Sequence, residues 1–91
     1  MAVDRVLTIK GTGFPIGGVR KTNPRIAFGK TLRALRLERG ISQEKLAELA
    51  GLHRNYVGVL ERGGQSPSLD AICKLAGALK VKAAELVANL P

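Results

Sequence analysis

The chain has 91 residues, which fits one small domain, and its fifteen Lys and Arg against seven acids give a net charge of +8. Hydrophobic residues make up 45% of the chain but aromatic residues only 3%, so a core of Leu, Ile, Val and Ala is expected. The one Cys and one His exclude a zinc site of the usual Cys/His type. The positive charge favours a polyanionic partner, either nucleic acid or an anionic membrane surface, and nucleic acid is the interpretation adopted from composition.

Location and membrane association follow from the hydrophobic pattern. No apolar run approaches the roughly 18 residues of a membrane span, and the opening residues MAVDRVLTIKG lack the long apolar stretch of a signal peptide. The single Cys73 cannot form an internal disulfide, which is typical of a reducing compartment. The sequence therefore predicts a cytoplasmic protein with no membrane partner.

Residues 1–24 differ in composition from the rest of the chain. They carry the Gly-rich run GTGFPIGG and four basic residues against one acid. A short apolar stretch, VLTI, has no second strand to pair with. We expect this segment to be an N-terminal arm, flexible over residues 11–18 because Gly and Pro dominate them.

Two helices are predicted after the arm. Asn23 is a suitable N-cap and Pro24 suits the first helical position; the apolar stripe of this helix is Phe28, Leu32 and Leu35, and Gly40 ends it. The second helix has Ser42 as its N-cap and Gly51 as its end. Its predicted buried edge is Leu46, Leu49 and Ala50.

Three more helices follow at short intervals. Val57 and Leu60 face inward on the third, which a Gly at position 63 or 64 stops, and Ser68 caps the fourth. The inward positions of the fourth are Ile72, Leu75, Ala76 and Leu79. The fifth is predicted over residues 83–90, with Ala83, Leu86, Val87 and Leu90 on one face. Five short helices with brief connections predict an all-α, compact domain over residues 25–91.

The link between the second and third helices, AGLHR, is very short. It fits a sharp turn of the kind that joins the helices of a helix-turn-helix. The outward face of the third helix offers donors, an amide and a methyl-bearing side chain, which suit guanine, adenine and thymine edges in the major groove. This face carries no acid, and Gly58 is expected to leave clearance for a close DNA surface. Its residues are Arg54, Asn55, Gly58, Val59 and Arg62.

Residues 41–81, ISQEKLAELAGLHRNYVGVLERGGQSPSLDAICKLAGALKV, resemble the Cro/lambda-repressor-like (XRE-type) helix-turn-helix of bacterial and phage regulators. The likeness covers roughly residues 25–90, with SQEKLAELAGL and LERG at the family spacing. The motif LHRNYV…ERG is similar to the corresponding sequence in controller proteins of restriction–modification systems, and also in other regulators and some antitoxins. The resemblance implies a five-helix lambda-repressor-like DNA-binding domain with a flexible N-terminal arm.

The resemblance also implies a role for each matching position, with a recognition helix at about residues 54–62. The base-reading positions are Arg54, Asn55, Gly58 and Val59. The expected DNA-backbone contacts are Arg33, Ser42, Gln43, His53, Tyr56 and Arg62, of which Gln43 touches either a phosphate or a flanking base. Arg36 and Glu61 match a buried ion pair that joins the first and third helices.

We expect a transcriptional regulator that binds double-stranded DNA as a homodimer on a near-palindromic operator. The candidate dimer interface is Leu86, Val87 and Leu90. No enzymatic activity is predicted, because the acids offer no pocket, and no cofactor or metal is expected. Repression and activation through RNA polymerase both stay open, and so does an antitoxin that binds a toxin. The arm has three readings: a disordered segment, a strand added to the dimer, or a basic segment that reaches DNA.

Overall fold

The computed structural model describes residues 23–91, and within this range the regular secondary structure is all helix, without strands. The predicted arm, residues 1–24, lies outside the described residues except for Asn23 and Pro24. None of the helices in the described range is long and apolar enough to cross a membrane. The five helices are α1 (Pro24–Glu38), α2 (Gln43–Ala50), α3 (Arg54–Glu61), α4 (Leu69–Leu79) and α5 (Ala83–Val87).

The predicted helix starts are confirmed by their capping bonds. The Asn23 side chain accepts a backbone N–H in the first turn of α1, where Pro24 is the first residue. Ser42 Oγ accepts from the Lys45 N–H at 2.9 Å, and Ser68 Oγ accepts from an N–H of α4 at 3.0 Å. Each bond satisfies a donor that the helix itself leaves unpaired, which stabilises the helix by about 1 kcal/mol.

The connection between α2 and α3 is only three residues long, Gly51 to His53. Gly51 has φ +71°, a left-handed conformation that favours glycine. The Leu52 N–H donates to the Ala47 carbonyl at 2.8 Å, which closes the end of α2 in the pattern of a Schellman motif. The short helix-turn-helix link predicted from AGLHR is therefore present.

One hydrophobic core joins all five helices. α3 packs against both α1 and α2, α4 packs against α2, and α5 closes the core against α1 and α4. Its buried members are mostly Leu and Ala, as the composition predicts. They are Phe28, Leu32, Leu46, Ala47, Ala50, Val57, Leu60, Leu75, Ala76, Leu79 and Leu86.

Two details of the predicted helices are wrong. Leu49, expected on the buried edge of α2, is 52% exposed, because the inward face of this short helix is formed by Leu46, Ala47 and Ala50. α5 ends at Val87 and not at residue 90. The chain beyond Val87 forms a turn in which the Leu90 N–H donates to the Val87 carbonyl at 3.2 Å, and Pro91 disfavours helical backbone at residue 90.

A close backbone approach fixes α1 on α3. Gly29 is buried in the middle of α1, and a Cβ on it would lie 2.6 Å from the Glu61 carbonyl oxygen and closer still to that of Leu60. These obstacles are backbone atoms, which cannot swing away as the tip of a flexible side chain can. Only glycine therefore lets α1 lie against the last turn of α3 at this distance.

We predict that Gly29→Ala lowers the free energy of unfolding by about 2 kcal/mol or more, because the added methyl forces the two helices apart. Gly77→Ala is the matched control, since Gly77 lies inside α4 with open space where its Cβ would be. That variant should gain up to about 1 kcal/mol from helix propensity. Urea unfolding of both variants measures the difference, and an equal gain in both would contradict the close-packing argument.

Candidate nucleic-acid interface

An open groove of about 620 Å³ lies between the start of α2 and the outward face of α3. All four predicted base-reading residues line it, together with three of the predicted DNA-backbone contacts. The structure thus brings together on one surface residues that the sequence assigned to DNA for separate reasons. The lining residues are Arg36, Ser42, Gln43, Glu44, Arg54, Asn55, Gly58, Val59 and Arg62.

The other three predicted backbone contacts lie outside this groove. Arg33 is exposed on α1. Tyr56 is half-buried with its ring packed against the hydrophobic core, so it covers the edge of the core. His53 is exposed at the start of α3, beside a second shallow surface that also includes Glu44 and Glu48.

His53 caps the recognition helix through its imidazole. Its Nδ1 accepts the backbone N–H of Asn55 at 3.1 Å. A ring nitrogen that accepts a hydrogen bond carries no proton, so the neutral ring has its N–H on Nε2. The side chain therefore starts α3 with one nitrogen and presents a donor with the other, and this donor suits a phosphate oxygen.

The predicted ion pair between α1 and α3 is present and buried. Arg36 Nε donates to Glu61 Oε2 at 2.6 Å and Nη2 donates to Oε1 at 3.1 Å, with the two side chains 9% and 3% exposed. Arg36 Nη1 also donates to the Ile41 carbonyl at 2.8 Å. The hydrogen bond with Glu61 raises the pKa of the Arg36 guanidinium, an effect that its burial opposes. The bidentate pair holds the C-terminal end of α3 against α1.

Gln43 is part of the same network. Its Nε2 donates to Glu61 Oε1 at 2.9 Å, so the first residue of α2 is tied to the last residue of α3. The sequence assigned Gln43 to DNA alone. Nothing in the sequence points to this bond, because the two residues are eighteen positions apart and the contact exists only once α2 and α3 have packed.

The space above Gly58 is occupied by side chains of the same chain, so the expectation of an open surface there is wrong. Gly58 is buried, and a Cβ on it would lie 3.2 Å from Arg62 Nη1 and 3.5 Å from Gln43 Oε1. Both obstacles are ends of flexible side chains. The missing Cβ therefore makes room first for Gln43 and Arg62, which cross α3 at this point.

An acid enters the groove from the neighbouring helix. Glu44 of α2 has its Oε1 3.6 Å from Arg54 Nη1, with both side chains more than half exposed. The sequence predicted a surface without acids because only the residues of α3 were used, and Glu44 belongs to α2. So exposed a pair contributes little stability, but the Glu44 carboxylate places a negative charge beside Arg54 in the groove, and this charge repels phosphates.

The candidate dimer residues divide into buried and accessible ones. Leu86 is fully buried in the core of its own chain, so its assignment to a dimer surface is wrong. Val87 is half-buried and Leu90 is 38% exposed, and both line a shallow apolar cleft with Pro67 and Ile72. Leu86 supports this surface from below.

α2 and α3 are two short helices joined by a three-residue turn. The inward side of α3 packs on the core and its outward side is polar. This arrangement defines a helix-turn-helix DNA-binding protein. The helix-turn-helix family model matches residues 32–86. The chain belongs to this family of DNA-binding transcriptional regulators, of the XRE type, and the resemblance in residues 41–81 is confirmed.

Several proteins are similar to the chain, one of them described here by sequence and two by solved structure. Control protein C.BamHI of Bacillus amyloliquefaciens is 44% identical over 66 residues, which cover 71% of this chain and 82% of that protein. The crystal structure of the restriction-modification controller protein C.AhdI from Aeromonas hydrophila is 52% identical with a TM-score of 0.67, covering 68% and 94%. The hypothetical transcription factor NHTF from Neisseria is 34% identical with a TM-score of 0.69, covering 84% and 83%.

We predict that Arg36→Ala lowers the free energy of unfolding by about 3–5 kcal/mol, because it leaves the Glu61 carboxylate buried without its counter-charge. Lys45→Ala is the control, since Lys45 pairs with Glu48 at 3.6 Å with both side chains more than half exposed. That change should stay within about 0.5 kcal/mol. Thermal and urea unfolding measure both, and losses of similar size would show that burial adds nothing to the pair.

Proposed function

We propose that this protein is a sequence-specific transcriptional regulator that binds a near-palindromic operator as a homodimer, with α3 in the major groove. The observation that carries the proposal is the groove between α2 and α3, which places all four candidate base-reading residues on one concave surface. α3 is anchored from behind by Val57 and Leu60, both without exposed area, so its outward face is free to meet DNA.

Direct readout by α3 in this proposal is made by three side chains. Arg54 and Asn55 are exposed in the first turn of α3, and they suit the acceptor pair of guanine and the donor–acceptor pair of adenine. Val59 is half-buried at the edge of the groove, where its methyl groups suit thymine. Recognition near Gly58 depends instead on Gln43 and on DNA shape.

Phosphate contacts in this proposal surround the reading residues. Ser42 and His53 lie at the N-termini of α2 and α3, where backbone N–H groups and the helix dipole favour anions. Arg62 continues the surface beyond the end of α3, and exposed Arg33 adds charge from α1. These contacts supply salt-dependent affinity that is shared by all DNA sequences.

The proposed dimer surface is the apolar cleft at α4 and α5. It is lined by Ile72, Val87 and Leu90, and Leu69, which is 80% exposed, lies one helical turn before Ile72. An apolar residue so exposed suits an interface between copies. A two-fold dimer would place two α3 helices about 34 Å apart, one turn of DNA, which matches a near-palindromic operator.

Regulation of a promoter is the proposed outcome of binding, in keeping with the likeness to control proteins. Bound across a promoter, the dimer would block RNA polymerase. Bound just upstream, it would recruit polymerase. The cytoplasm is the proposed location. The alternative of an antitoxin depends on residues 1–24, and no observation in residues 23–91 favours it.

We predict that selection from random DNA enriches a two-fold motif, and that Arg54→Ala lowers affinity for this motif by about 1–3 kcal/mol with a much smaller loss on random DNA. The reason is that a base contact is lost. Arg33→Ala is the control, which should weaken both kinds of DNA alike and flatten the salt dependence. An equal loss on both DNAs would make Arg54 a backbone contact, and the absence of any enriched motif would refute sequence-specific binding.

We predict that Leu69→Glu shifts the protein from dimer to monomer, because it places a charge in the apolar interface without disturbing the core. Leu49→Glu is the matched control, as Leu49 is 52% exposed but lines a different surface with α4. Light scattering over a range of concentrations gives the mass of each variant. A wild-type mass of one chain at high concentration, or a dimer that tolerates Leu69→Glu but not Leu49→Glu, would contradict the proposed surface.

A further inference from the structure

The buried carboxylate of Glu61 accepts three hydrogen bonds from two different helices. Two come from Arg36 at 2.6 and 3.1 Å, and the third comes from Gln43 Nε2 at 2.9 Å. Oε1 of Glu61 is shared by Arg36 Nη2 and Gln43 Nε2. The side chain is 3% exposed, so water does not compete for these bonds. Glu61 thus joins the structural ion pair to a residue of the DNA-binding groove.

An ionised carboxylate can only accept hydrogen bonds, so it determines which end of the Gln43 amide faces it. The NH₂ group must point toward Glu61, because the reverse orientation would bring two oxygens together. The Gln43 carbonyl oxygen consequently points the other way. It lies over the middle of α3, 3.5 Å from where a Cβ on Gly58 would be, and both Gln43 and Gly58 line the groove.

We propose that Glu61 is a positioning residue for DNA recognition, which orients Gln43 so that its carbonyl oxygen accepts from an amino group on a base edge. In the major groove such amino groups belong to adenine N6 and cytosine N4. A phosphate offers only acceptors, so an outward carbonyl oxygen is matched to a base and not to the backbone. The inference rests on the proposed DNA-binding function and selects one of the two roles that the sequence left open for Gln43.

Gly58 and Arg62 support this arrangement. The absence of a Cβ at position 58 allows the Gln43 amide to lie across α3. Arg62 Nη1 would lie 3.2 Å from the same Cβ position, so its positive charge is close to the Gln43 oxygen on the surface of the groove. In the proposed complex, the Gln43 carbonyl oxygen accepts from a base amino group and the neighbouring Arg62 guanidinium donates to a phosphate.

The first test is Gln43→Met, which keeps an unbranched side chain of similar length but removes the donor and acceptor. In selection from random DNA, we expect this variant to lose its preference for adenine or cytosine at one position of each half-site. The loss should be on the order of fivefold or more, the lower end of a specific base contact. Equal weakening on the preferred site and random DNA would overturn the inference and make Gln43 a backbone contact.

The second test is Glu61→Gln, which keeps the shape of the side chain but can place an NH₂ group toward Gln43. The Gln43 amide should then turn over, and the preferred base at that position should change from a donor to an acceptor. A merely structural role for Glu61 would lower stability without altering base preference. If the wild-type protein and Glu61→Gln select the same motif, the inference about Glu61 is overturned but the proposed function is not. If the wild-type protein selects no motif, the proposed function itself is refuted.

The free protein provides a test that does not depend on DNA or on the folding of Glu61→Gln. The chain has two glutamines, Gln43 and Gln65, and Gln65 is exposed in the loop before α4. In nitrogen-edited NMR spectra, one side-chain proton of Gln43 should exchange with water at least tenfold more slowly than those of Gln65. The spectrum of Gln43→Met identifies the signals, and equal exchange at the two residues would overturn the inference.

Discussion

The structure depends on the buried ion pair between Arg36 and Glu61. Charges removed from water are tolerated only with close, multiple hydrogen bonds, and here the carboxylate receives bonds from both α1 and α2. A side chain chosen only for packing could have joined α1 to α3, as a Leu would. The ion pair adds direction, because it fixes the rotation of α3 about its axis and, with it, the side of the helix that faces the groove.

Much of this fold could be predicted from the sequence. Helix starts are local, so Ser42 and Ser68 were identifiable as caps from their own neighbourhoods, and inward residues such as Val57 follow from helical spacing. Leu49 shows where spacing fails, because a helix of eight residues has too few turns to distinguish a core position from its neighbour. Contacts between helices, such as Gln43 with Glu61 or Glu44 with Arg54, were not predictable, since they depend on packing geometry that no single helix encodes.

The two glycines inside α1 and α3 show the same limit. Gly58 was expected from the sequence to leave clearance for DNA, yet flexible side-chain ends that can move lie above it. Gly29 gave no signal, although two backbone carbonyl groups face the position of its missing Cβ. The importance of a glycine in a helix depends on what approaches it, and only the assembled structure contains that information.

The contact at Gly29 has a consequence for the proposed dimer. α5 packs on α1, and α1 contacts α3 through backbone atoms. The position of the recognition helix relative to the cleft at α5 therefore cannot adjust easily by side-chain rotation. The distance between the cleft and the recognition helix is therefore nearly fixed. In a two-fold dimer this fixed distance would hold the separation of the two reading surfaces nearly constant, and operators with one base pair inserted at the centre would have to bend or twist to be bound.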